Sequence, residues 1–132
     1  MPPEHLKQED IDFELAFYGG LIDKNPNFIE ALVALGDLYT KAGLYKEGLV
    51  IDERLVQLKP EDPVVLYNLS CSYSLLKDID KALRAFKKAI NCGYLDFDYL
   101  EQDEDLSNLR KDRRFQKYLA RVKSRKPSKS EE

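Results

Sequence analysis

Two prolines, Pro26 and Pro60, lie 34 residues apart in this 132-residue chain, and their surroundings recur at the same offset. Asn25-Pro26-Asn27 answers to Lys59-Pro60-Glu61. From Phe28 onward the match continues: Leu32 with Leu66, Leu35 with Leu69, Gly36 with Ser70, Tyr39 with Tyr73. Further on, Tyr45 meets Ile79, Gly48 meets Ala82, Leu49 meets Leu83 and Val56 meets Ile90. Large residues stay large and small ones stay small. A period of this length marks a stack of supersecondary units, none of which can bury its apolar face alone.

Each unit reads as two helices. Leu32, Leu35, Gly36 and Tyr39 fall at i, i+3, i+4 and i+7, one apolar stripe of a helix. Gly43 offers the left-handed backbone that ends it. A second helix carries Tyr45, Leu49, Leu55 and Leu58 and stops before Pro60. The next unit opens at Asp62-Pro63, an N-cap residue followed by proline in the first turn. Its stripe is Leu66, Leu69, Ser70 and Tyr73. Asp78 then caps a partner helix through Ala82, Leu83, Phe86, Ala89 and Ile90, which Gly93 closes. Gly36, Ser70, Gly48 and Ala82 are the small residues that close helix–helix approach demands.

This 34-residue helix–turn–helix pattern resembles the tetratricopeptide repeat. Leu35-Gly36, Tyr39, Gly43, Tyr45 and Pro60 carry the resemblance in the first unit, and Asn68-Leu69, Tyr73, Ala82, Phe86 and Ala89 in the second. The chain departs from the family pattern in places. Leu32 and Leu66 stand where Trp is frequent, Gly48 replaces an Ala, and Asp52 an aromatic. Lys77 replaces the turn glycine, and Tyr94 falls where a closing Pro belongs. The resemblance implies an all-α fold, a right-handed α-α superhelix. It would hold about two full repeats, near 28–61 and 62–94, an N-terminal half repeat and C-terminal capping helices.

Residues 9–25 read as the second helix of that half repeat, with Ile11, Leu15, Tyr18, Leu21 and Ile22 inward. Gly19-Gly20 should weaken or kink it, at about 1 kcal/mol per glycine relative to alanine. Residues 94–124 leave the period. They resemble a closing segment, with short helices near 95–102 and 104–110 and a longer one near 112–124. Asp96, Asp105 and Asp112 are the expected N-caps there. On the last helix Phe115, Tyr118, Leu119 and Val122 share one face. A polar-backed cap of this kind is what an open stack requires. One domain over 9–124 is expected, between a flexible 1–8 and a disordered basic tail at 125–132.

Charge is divided unevenly along the chain. Residues 1–109 hold 11 Lys/Arg against 21 Asp/Glu, and residues 110–132 hold 10 against 3. The acidic body repels phosphates, which disfavours broad nucleic-acid contact. No run of about 18 apolar residues exists, so no membrane span is expected. The start lacks the apolar core of a signal peptide. Cys71 and Cys92 have no CxxC spacing, which points to reduced thiols rather than a disulfide or a zinc site. A cytoplasmic setting fits.

Catalytic patterns are absent. The single histidine, His5, lies in a polar stretch with nothing to hold it as a base. Phosphate-binding glycine loops, GxSxG and HExxH do not occur. The acids from Asp96 to Asp105 fail as a calcium loop, because Leu100 takes a ligand position and Glu101 the glycine position. The expectation is no enzyme, no metal and no cofactor.

Function is then expected on the concave wall formed by the first helix of each unit. Its residues would be Glu30, Val33, Asp37, Thr40 and Lys41 in the first unit, and Val64, Tyr67, Asn68, Cys71 and Leu75 in the second. Tyr67 would serve as a flat anchor and Asn68 as a donor–acceptor to a peptide backbone. The expected role is an adaptor that docks a peptide or helix of another protein, whose identity the sequence does not give. Chaperone-binding members of the family clamp a C-terminal carboxylate with basic residues and asparagines. Here Val33 and Asp37 take those places and only Asn68 matches, so no clamp for heat-shock chaperone tails is expected. The alternatives are nucleic-acid or acidic-surface binding through 110–129, and self-association into a homodimer.

Overall fold

The computed structural model describes residues 7–130, with side chains through Arg125. The described residues are helical with no strand. In chain order they form α1 (Gln8–Lys24), α2 (Ile29–Lys41), α3 (Tyr45–Leu58), α4 (Pro63–Leu75) and α5 (Ile79–Asn91). A closing segment follows: α6 (Phe97–Gln102), a 3-10 turn (Glu104–Leu106), α7 (Ser107–Arg110) and α8 (Arg113–Ser130). Successive helices pack on one another from α1 to α5, the arrangement of an all-α solenoid.

The stripes read from the sequence are the ones that bury. Leu32, Leu35 and Gly36 on α2, and Leu66 and Ser70 on α4, lie inside, as do Ala82, Leu83, Phe86 and Ala89 on α5. Tyr45 differs. It stands exposed at the first position of α3, before that helix turns inward. The small residues sit where backbones come closest. A Cβ on Gly36 would lie 3.2 Å from Ile51 Cγ2, and one on Gly48 3.2 Å from Thr40 Oγ1. At the equivalent place in the second unit, the Ser70 hydroxyl donates to the Ala82 carbonyl at 2.7 Å.

Helix ends separate the two units. Asp62 accepts from the Val64 and Val65 amides, and Asp78 from the Lys81 amide. The equivalent residues of the first unit, Phe28 and Leu44, give no side-chain cap. The turn of the first unit is Gly43 at φ +80°; the same turn in the second is Lys77 at φ +64°. A lysine held there bears the steric cost that glycine avoids.

α1 runs unbroken through Gly19 and Gly20. Neither glycine has another group near its Cβ position, so nothing forces a bend there. Asp96 and Asp112 cap α6 and α8 as expected. The 3-10 turn is capped by Asp103, which accepts from the Asp105 amide, and not by Asp105 itself. α8 continues past residue 124 to Ser130, where the sequence had suggested a structureless tail. His5 and the rest of 1–6 lie outside the described residues.

α4 is the hub of the molecule, and its three small hydroxyls tie it to three neighbours. Ser70 bonds to α5, and Ser72 donates to Asp52 on α3 at 2.5 Å. Ser74 accepts from the Leu109 amide on α7 at 3.0 Å. The main core gathers Leu66, Phe86, Leu100, Leu106, Leu109 and Phe115 around this hub. Phe115 of α8 meets Phe86 with ring centres 4.8 Å apart. Closing segment and second unit are therefore one packed body.

Candidate functional site

α2, α4 and the closing segment enclose a hollow of about 260 Å³ on the concave side. α2 supplies Val33, Ala34, Gly36, Asp37 and Thr40, and α3 supplies the floor, Asp52 and Leu55. α4 contributes Asn68, Cys71, Ser72 and Leu75, and the closing segment adds Tyr99, Asp103 and Asp105. Four carboxylates thus face one space, with no lysine or arginine in its lining.

The floor exists because of a substitution visible in the repeat. Asp52 stands 34 residues before Phe86, which is fully buried. A carboxylate in place of that ring leaves room unfilled. Asp52 is itself buried, and burial raises its pKa from 3.8 to about 7, against the lowering effect of the Ser72 hydroxyl. Asp105 is half-buried, and its pKa is raised by burial first and then by the charges of Asp103 and Asp37. Such a hollow is short of positive charge.

Asp103 binds the closing segment to α4. Its Oδ2 accepts from the Tyr67 hydroxyl at 2.7 Å and from the Cys71 thiol at 3.6 Å. The Arg110 guanidinium donates to the Leu100 carbonyl at 2.8 Å and to the Asp103 carbonyl. Burial, and then the Asp103 charge, push the Cys71 thiol well above its usual range. Tyr67 shifts upward for the same leading reason.

The wall expected from the sequence is therefore only partly open. Val33, Asp37, Thr40, Asn68, Cys71 and Leu75 line the hollow. Tyr67 does not: it is 3% exposed, stacked on Tyr94 with ring centres 4.4 Å apart, its hydroxyl spent on Asp103. Its equivalent in the first unit, Val33, is 45% exposed, because no closing segment covers α2. Glu30 and Val64 are exposed outside the hollow. Lys41 sits at the rim and pairs with Asp37 at 3.0 Å. Sequence reasoning missed Asp52, Tyr99, Asp103 and Asp105. For Asp52 the signal was present, as an acid where the repeat expects an aromatic. The other three lie outside the period, which gives no hint of where they return.

Among the described residues, no group of His, Cys, Asp and Glu is arranged to hold a metal ion. Cys71 and Cys92 are unpaired thiols. No described helix is long and apolar enough to cross a membrane.

Comparison with known proteins agrees with this architecture. The family model described as tetratricopeptide repeat matches residues 64–91, most of α4 through α5. A chloroplastic protein of Arabidopsis thaliana is 37% identical over 84 residues, which is 61% of this chain. The chain spans about a quarter of that relative, 25% of its length. Two solved MamA structures share the fold. The RS-1 ArsTM double mutant superposes with a TM-score of 0.67 at 22% identity, covering 93% of this chain and 70% of its own. The 41-end form from Desulfovibrio magneticus RS-1 gives the same TM-score and identity, with 91% and 68% covered. A 34-residue period, paired helices stacked in register, and the family-model match at α4 and α5 place a tetratricopeptide repeat at the hub of this chain.

Proposed function

We propose that this protein is a non-catalytic scaffold whose concave hollow docks a peptide or helix of a partner protein through a basic side chain. The supporting observation is the lining of that hollow: Asp37, Asp52, Asp103 and Asp105 with no lysine or arginine in it, Lys41 alone reaching Asp37 from the rim. Burial first, and then the charges of Asp103 and Asp37, raise Asp105, and a lysine or arginine entering the hollow would offset both. Tyr99, half-exposed at the edge, offers a ring face to the same cation. Asn68 can bond to the backbone of the incoming segment. The same carboxylates would repel an acidic C-terminal tail, so heat-shock chaperone peptides are not its ligands. Unpaired thiols favour a reducing compartment, the cytoplasm in the sequence reading; the chloroplastic relative makes a plastid the alternative.

A peptide array tests the proposal. Sequences containing lysine or arginine are probed beside copies with acetyl-lysine or citrulline at those positions. Binding of the charged set only, weakened about tenfold or more by Asp37→Asn with Asp105→Asn, is the expected result. Equal binding of both sets would refute it.

The alternative, phosphate binding through 110–129, has less support. Arg114 is engaged by Asp80 and Asp112, and Lys123 by Glu101.

A further inference from the structure

α1 packs on α2 through Ile11 and its neighbours, while its opposite face is bare. Phe13 is 71% exposed and Phe17 53%. Ala16 and Gly20 are exposed beside them, and a Cβ on Gly20 would meet nothing within 4 Å. Two large rings and two small residues on one helix face form a surface shaped for another helix. Carboxylates border it: α1 holds five Asp/Glu against one lysine. A symmetric pairing of two such faces would set like charges against each other.

The opposite end of the stack carries the complement. α8 holds eight Lys/Arg and no Asp/Glu in its 18 residues. Phe115, Leu119 and Val122 take its inner face, which leaves Arg113, Lys117, Ala120 and Ser124 in a row outside. Among the described residues, Arg113 and Lys117 make no ion pair. Laid antiparallel, α8 sets a positive charge spread along its whole length beside the acid-rich α1, and the helix dipoles also oppose favourably. The aliphatic stems of Lys117 and Arg121 suit a place over the phenylalanine rings.

We infer that this chain associates head to tail with a second copy, α8 of one seated on the Phe13–Phe17 face of α1 of the next. The contact joins two different surfaces, so it leaves a free end on each side and grows rather than closing as a symmetric dimer.

The test is sedimentation of the full chain from micromolar to near-millimolar concentration. Wild type should gain mass with concentration at low salt, and the association should weaken about tenfold or more at high salt. Two variants separate the surfaces: Phe13→Ser with Phe17→Ser, and Arg113→Glu with Lys117→Glu. All four positions are exposed, and unchanged circular dichroism and melting check the fold. Each variant alone should be a monomer, while an equimolar mixture should form a dimer and stop there. A wild type that stays monomeric throughout would overturn the inference. So would an Arg113/Lys117 variant that associates like wild type, the mark of symmetric α1 pairing, or two folded variants that do not combine.

Discussion

The Tyr67 hydroxyl donates to the Asp103 carboxylate at 2.7 Å, across 36 residues of chain, and that bond holds the closing segment over α4. It turns a residue that the repeat frame would expose into part of the core, and brings Tyr99, Asp103 and Asp105 to the hollow. Removing the hydroxyl leaves Asp103 Oδ2 with the weak thiol of Cys71. Tyr67→Phe should therefore lower stability by about 1–2 kcal/mol in urea unfolding, with the helical content kept. No change would mean that the segment is held by its apolar contacts alone.

Asp52 sets a pH dependence. Its folded-state pKa, about 7, stands above the ordinary 3.8, so the native state holds the proton more tightly than the unfolded one. Its contribution is best below about pH 4, declines as pH rises from 4 to 7, and is least favourable above 7. Asp52→Asn removes the buried charge. It should stabilise the protein by about 2 kcal/mol at pH 8, and by little at pH 4, as urea melts at the two values would show. A variant equally destabilised at both would contradict this.

The two inter-helix turns invite a paired exchange. Lys77, at φ +64°, takes the place that Gly43 fills in the first unit at φ +80°. Lys77→Gly should stabilise by about 0.5–1 kcal/mol, and Gly43→Ala should cost about 1 kcal/mol. Thermal melts of both variants give the opposite signs directly.

The cysteines should differ in reactivity. Cys71 is buried, its thiol is pushed up by burial and by Asp103, and it donates to that carboxylate. Cys92 is half-exposed. A thiol reagent at neutral pH should label Cys92 in the native protein and reach Cys71 only on unfolding. Mass spectrometry of the labelled peptides reads this, and equal native labelling would show that the closing segment opens readily.

Much of the fold is written in local patterns. The stripes at Leu32–Tyr39 and Leu66–Tyr73, the caps at Asp62 and Asp78, and the small pairs at Gly36/Gly48 and Ser70/Ala82 follow from helix geometry alone. The binding face is less legible, because it depends on where a non-repeating segment comes back. Nothing near Tyr67 in sequence tells that Tyr94 will stack on it or that Asp103 will bond to it. The acids at 103 and 105 read locally as a solvated surface, whereas tertiary return sets them opposite Asp37. Asp52 is intermediate: the repeat flags it as out of pattern, but only the packing shows that the missing ring leaves a hollow.

The claim that the concave hollow is the working surface is tested most directly by amide chemical-shift mapping. A lysine- or arginine-bearing peptide selected on the array is titrated into labelled protein. Shifts should cluster at Asp37, Thr40, Asn68, Leu75, Tyr99 and Asp105, with α8 and the convex Tyr73 side unmoved. Shifts confined to α8 or to that convex side, with the hollow silent, would contradict the account.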